Sequence, residues 1–264
     1  MRNKRLGIIL IVLIVVLFVL AVIITKAFDA NDSSNDTQTT QQAGEPTKSG
    51  GGLFHKNTPE PTVPPEPTPT FTVAPEGYFE DALIIGDSRT EGIRMCADIP
   101  GATYFTSVGM GVTGAFYEAV SVNGVGTVTL DSLLASKQFG KVYIMLGIND
   151  IGGDIPTIAN RFHDLLDKVK AAQPDAIIII EANLRVTAGY NTFGVNNERI
   201  DKYNDLISQY ADNKTVFYLD VNPLFDDGTG KALNPSLSPD GLHVPGAQYI
   251  EWADFIMDNA VVFK

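Results

Sequence analysis

From Tyr78 onward the chain alternates between two hydrophobic periods. Short apolar runs at 82–85, 103–107, 142–146, 176–180 and 216–219 have the length and β-branched content of strands. Between them, residues 156–172 repeat apolar side chains at Ile158, Phe162, Leu165, Leu166 and Val169. Residues 196–210 do the same at Ile200, Tyr203, Leu206 and Ile207, the spacing of helices with one buried face. The last expected helix covers 245–261, with Pro245 suited to a first turn. Runs apolar on both faces, separated by helices, predict an α/β fold: a mainly parallel five-stranded sheet between two helical layers. In such sheets functional groups gather beyond the C-terminal ends of the strands.

Upstream the pattern breaks twice. Arg2, Lys4 and Arg5 precede an uninterrupted apolar run over 6–25, long enough to cross a bilayer as one transmembrane helix. The positive-inside rule then leaves residues 1–5 in the cytoplasm and the rest of the chain outside, so a membrane-anchored, single-pass protein is expected. A cleaved signal peptide and a secreted product is the alternative, disfavoured by the length of the run. Residues 26–76 are polar and then Pro-rich, the composition of a disordered, semi-rigid stalk. One folded domain, 77–264, is expected beyond it, as a monomer.

Composition narrows the function classes. The chain of 264 residues carries a net charge of −12, and the expected domain holds 24 acidic against 13 basic residues. That balance argues against nucleic-acid partners and polyanionic substrates. A single cysteine, Cys96, excludes an intrachain disulfide and a multi-cysteine zinc site, and reads as a small buried apolar residue. Three histidines, His55, His163 and His243, leave little room for a His-rich metal centre. His55 falls in the stalk and His163 on a regular helix. The acidic stretch 226–230 reads as a turn.

Chemistry concentrates at the ends of runs. The first ends in Gly86-Asp87-Ser88-Arg89, where a strand turning into a helix exposes Ser88. The third ends in Gly147-Ile148-Asn149-Asp150, which brings a carboxamide to the same crevice. Asp240 stands three residues before His243, ahead of the last helix. Each has a plainer reading: Ser88 or Asp240 as a helix cap, Asn149 as a loop organiser, Asp87 and Asp150 as turn formers.

Taken together, Gly86-Asp87-Ser88, Gly109 within Ser107-Val108-Gly109-Met110-Gly111, Gly147 to Asp150, and Asp240 to His243 resemble the blocks of the SGNH hydrolase superfamily, the GDSL esterases. Arg89 replaces the family's usual leucine. The resemblance covers 81–261 and implies a flavodoxin-like α/β/α sandwich. It also implies a serine nucleophile, Ser88, a general base, His243, and an orienting carboxylate, Asp240. The N–H groups of Ser88 and Gly109 (Gly111 in an alternative register) and the Asn149 amide would form the oxyanion hole. The implied activity is ester hydrolysis without a cofactor.

Loops 110–131 and 184–197 are the expected pocket walls. Phe116, Arg185, Tyr190 and Arg89 are candidate substrate contacts, with a surface helix position as the other reading of Arg89. Neither loop supplies a long apolar surface, so a short acyl group such as acetyl is expected. With the extracytoplasmic placement, this points to acylated carbohydrates of the cell wall or surface. An acyltransferase, a lysophospholipase or thioesterase, and a non-catalytic glycan-binding module are the rival readings.

Overall fold

The computed structural model of the chain describes residues 68–264. The expected cytoplasmic segment, transmembrane helix and most of the stalk lie outside the described residues. Among those described, no helix is long and apolar enough to cross a membrane.

Among the described residues, nine strands and five α-helices follow one another as β1 (Pro69–Thr72), β2 (Ala82–Gly86), α1 (Ser88–Cys96), β3 (Thr103–Thr106), β4 (Ala119–Val122), β5 (Gly126–Thr129), α2 (Leu130–Ser136), β6 (Lys141–Met145), α3 (Ile155–Ala172), β7 (Ile177–Glu181), α4 (Asn197–Ser208), β8 (Val216–Leu219), α5 (Gly246–Asp258) and β9 (Ala260–Phe263). The five expected strands form one sheet in the order β3-β2-β6-β7-β8, and every pairing is parallel. Strand side chains alternate between two cores. Leu83, Ile85, Val142, Ile144, Ile178 and Ile180 face a core shared with Leu133, Phe162, Leu166, Ile200 and Tyr203 of α2, α3 and α4. Ile84, Tyr143, Met145, Ile179 and Phe217 face the other, with Ile93 of α1 and Trp252 and Ile256 of α5. Burial on both faces explains why these strands read as continuous apolar runs.

The sheet order places a topological switch point at β2, whose two neighbours, β3 and β6, lead the chain off in opposite directions. Ligand crevices form outside the carboxyl ends of strands at such a point. Register sharpens this: Gly86 pairs with Thr106 on one side and Met145 on the other. The segments after β2, β3 and β6 therefore emerge at one level.

Three expectations change. Residues 69–72, assigned to the stalk, form β1 and pair antiparallel with β9 (Phe71 opposite Val261). The last helix stops at Asp258 instead of running to 261, because the β-branched Val261 and Val262 join that ladder. Cys96 is exposed at the end of α1. The stretch 226–230 is a turn, with Asp226 Oδ1 accepting the N–H groups of Gly228 and Gly230.

The β1–β9 ribbon is tied on by Ala74 N–H to Met257 O (2.8 Å), by the Thr68–Lys264 backbone pair and by edge-to-face packing of Phe71 on Phe217. A chain begun at residue 77 should therefore be less stable than one begun at residue 63, by about 3 kcal/mol if a handful of hydrogen bonds at about 0.5–1.5 kcal/mol each are lost. Urea unfolding followed by Trp252 fluorescence checks this, and coincident midpoints would contradict it.

Candidate active site

The turn after β2 is built by packing. Gly86 lies against Thr90, and a side chain at 86 would overlap the Thr90 hydroxyl. Asp87, fully buried, caps α1 by accepting the Arg89 N–H (2.9 Å). Ser88 is thereby relieved of capping and stands half-buried on the first turn of the helix, its hydroxyl directed to the crevice.

On the opposite wall, Asp240 folds its own loop. Its Oδ1 accepts the N–H groups of Leu242 (2.9 Å) and His243 (2.7 Å), while Oδ2 lies 2.8 Å from His243 Nδ1. The cap of α5 falls to Pro245, so Asp240 caps no helix. Burial works to raise the Asp240 carboxyl, but the backbone N–H of His243, its ring and the N–H of Leu242 outweigh it and hold the group at about 2. An ionised Asp240 accepts from Nδ1–H, which leaves Nε2 to accept from the Ser88 hydroxyl at 2.9 Å. Ser88, His243 and Asp240 thus form one continuous hydrogen-bonded chain.

The third wall follows β3 and β6. Gly109 takes a left-handed backbone (φ +83°) with open space where a side chain would stand. Gly111 is instead packed against the Asp150 carboxylate, which accepts the Val112 N–H. Asn149, exposed after β6, donates through Nδ2 to Met110 O (3.0 Å), so the carboxamide sits beside the Gly109 loop with its second N–H unused by this bond. Gly147 makes this possible: its φ of +130° and its contact with the Tyr203 ring both exclude a side chain.

Of the four substrate contacts expected, only Tyr190 borders this crevice, packed against Gly241 in the Asp240–His243 loop. Arg89 is fully buried and donates to Leu184 O (2.8 Å), because its helical position turns it under Ser88 and into the core. Arg185 points away and pairs with Asp201 (2.7 Å). Phe116 lies beneath Arg161, whose guanidinium stacks 3.9 Å above its ring. His163 lies 3.4 Å from Asp167 and packs at a tilt against Tyr210, away from this wall.

Several site-supporting residues carry no motif. Asn183 exchanges hydrogen bonds with Asn204, donates to Leu146 O (3.1 Å) and accepts from Asn222. Asn222 also receives the Arg185 N–H (2.7 Å). This buried network fixes the segment after β7, and Thr187 N–H then holds Gly241 O at 2.9 Å, steadying the His243 loop. Beside it lie the buried charges Asp87, Arg89 and Glu181. Burial raises Asp87 and lowers Arg89, each partly offset by the other. Burial also raises Glu181 to about 7, helped by Asp87 and opposed by the Trp252 indole, which lies nearby outside hydrogen-bond geometry. The one clue in the sequence was a glutamate extending an otherwise buried isoleucine run.

Glu181 gives a pH prediction whose sign follows from linkage. Its folded value lies above the ordinary 4.5, so the folded state keeps a proton that the unfolded chain has released. Stability from this group is complete below pH about 4.5 and is lost as pH rises through about 7. Glu181→Gln should raise the stability at pH 8 by up to about 3 kcal/mol, with little gain at pH 4.5. Thermal unfolding across that range measures it, and a parallel pH dependence in both proteins would contradict it.

Comparison with known proteins agrees with this architecture. The model of the GDSL-like lipase/acylhydrolase family matches residues 84–249, more than half of the chain. A Bacteroides fragilis structure assigned as an acylhydrolase is similar at 19% identity, TM-score 0.52, over 68% of this chain and 86% of that one. A GDSL-like lipase from Bacteroides thetaiotaomicron is similar at 18% identity, TM-score 0.50, over 66% and 85%. A Streptococcus pneumonia structure assigned as a platelet activating factor gives 19%, 0.52, 67% and 82%. At these identities the likeness shows the fold. No curated protein sequence matches the chain.

Proposed function

The chain belongs to the GDSL-like lipase/acylhydrolase family and is a carboxylic ester hydrolase, and on that premise we propose that it is an extracytoplasmic esterase removing short acyl groups, acetyl foremost, from carbohydrates through Ser88, His243 and Asp240. The observation that carries the reading is the unbroken chain Ser88 Oγ–His243 Nε2 (2.9 Å) and His243 Nδ1–Asp240 Oδ2 (2.8 Å). A neutral hydroxyl is a weak nucleophile, and this arrangement supplies its base and the anion that steadies the resulting imidazolium.

Ser88 Oγ bonds to the ester carbonyl carbon as its proton passes to His243 Nε2. The carbonyl oxygen becomes an oxyanion, which the N–H groups of Ser88 and Gly109 and the Asn149 amide would receive. Gly109 suits this better than Gly111 because only Gly109 faces open space. The bond to the alkoxy oxygen then breaks, and His243 returns its proton to the departing alcohol. Water, deprotonated by His243, attacks the acyl-enzyme, and collapse releases the acid and restores Ser88.

Support for a short acyl group comes from loop 110–131. Its side chains Met110, Val112, Val120 and Val122 turn into the core, and Tyr117 and Val125 are the large apolar side chains it leaves exposed, too few to form a channel for a fatty chain. The extracytoplasmic placement rests on the basic residues 2–5 and the apolar run 6–25, which lie outside the described residues.

The full chain should hydrolyse 4-nitrophenyl acetate faster than long-chain nitrophenyl esters. Ser88→Ala and His243→Ala should each lose roughly 10³-fold or more in kcat. Asn149→Ala should lose about 10²–10³-fold, the usual cost of one oxyanion donor. An undiminished rate in Ser88→Ala with the fold intact would sink the reading. Because Asp240 stays ionised down to pH about 2, its protonation should add no second proton to the acid limb of kcat/KM above that pH. A two-proton limb would show that the assignment of roles is wrong.

A further inference from the structure

A groove of about 570 Å³ runs beside β3, between α1 and the β4–β5 hairpin. β3 is the edge of the central sheet and is not laddered to β4, so a cleft remains between them. Ser88, Gly109, Asn149, Asp240 and His243 do not line this groove, but it approaches them at one end. Ser107, which donates to Gly86 O (3.3 Å), lines it, as does Glu91, one turn along α1 from Ser88. The lining is mainly polar, with Glu91, Arg94, Asp98, Thr106, Ser107 and Ser121 presenting side-chain donors or acceptors beside the small apolar Ala102, Ala119 and Val120.

We propose that this groove is the alcohol subsite and that it holds an uncharged, polyhydroxylated leaving group, a neutral sugar chain. The proposal rests on the esterase reading above and adds where the substrate's larger half lies. Three observations carry it. First, a mainly polar lining offers little to an acyl chain, whereas vicinal hydroxyls both donate and accept and are matched by mixed carboxylate, guanidinium and hydroxyl groups. Second, the charge excludes polyanions. Glu91 and Asp98 face a single cation, Arg94, whose fork is held by Glu91 at 2.6 and 2.9 Å while Thr106 donates to Glu91 at 2.5 Å. Third, Asp98 sits in a left-handed conformation (φ +49°) just past the end of α1, where its N–H bonds Ile93 O. Glycine is the usual residue at such a position, since any side chain there is strained. The aspartate keeps an exposed carboxylate over the groove at the expense of local backbone strain.

That strain gives a test which separates binding from structure. Asp98→Gly should raise the thermal midpoint and yet lower the preference for glycan esters. The readout is the ratio of kcat/KM on O-acetylated xylotriose, cellotriose and maltotriose to that on 4-nitrophenyl acetate, measured with the full chain. We expect wild type to prefer at least one trisaccharide, and Asp98→Gly and Glu91→Gln each to lower that ratio about tenfold, the cost of one hydrogen bond to a charged group. An acetylated trisaccharide of uronic acids should be a poorer substrate than its neutral counterpart. An active esterase that prefers no trisaccharide, or whose ratios survive both substitutions, overturns the subsite. A groove that took an extended peptide along the β3 edge would give that second result, because ladder bonds need neither carboxylate. Wild type inactive on 4-nitrophenyl acetate would instead strike at the esterase reading, so the two failures are distinguishable.

Discussion

The hydrogen bond between Ser88 and His243 joins residues 155 positions apart, and the arrangement of the site depends on keeping it. A bond of 2.9 Å tolerates little drift between two loops on opposite walls of a crevice. The parallel sheet supplies one fixed side, because β2 is buried between two neighbours in register and releases the chain at Gly86 against Thr90. The other side has no strand of its own. It is held by Asp240, which gathers two backbone N–H groups and a ring into one short loop, and by Thr187, which fastens Gly241 to the segment after β7.

That second fastening explains the polar material under the site. A loop can be held firmly from beneath only by something that satisfies its backbone groups, and Asn183, Asn204 and Asn222 do this with side-chain amides. The same region keeps Asp87, Arg89 and Glu181 out of water, which is unfavourable unless charges are paired or suppressed. Arg89 and Asp87 moderate each other, and Glu181 responds by holding its proton up to about pH 7. Stability and site geometry are thus coupled through buried polar groups beneath the crevice.

The central architecture was legible because its physics is local and repetitive. Four apolar runs and one weaker, alternating run at 103–107 marked the strands, and the motifs at Ser88 and Asn149 fell where two of them end, with His243 in the loop ahead of the last helix. What escaped was decided by contacts distant in sequence. Residues 69–72 look like the end of a Pro-rich stalk until β9 provides a ladder partner nearly two hundred residues away. Arg89 and Arg185 look free in a sequence; helix phase sends one into the core, and Asp201 claims the other. Phe116 looked like a pocket wall and became a floor for Arg161. The asparagine network had no signal at all, since isolated asparagines are ordinary loop residues until three of them meet.

The account turns on Ser88 being activated by His243, and covalent trapping tests this most directly. A fluorophosphonate reacts with an activated serine hydroxyl and not with an ordinary one. Incubated with the full chain and followed by peptide mass spectrometry, it should add to Ser88 alone, and His243→Ala should lose the adduct while remaining folded. An adduct on another residue, or labelling of Ser88 that persists without His243, would contradict the account.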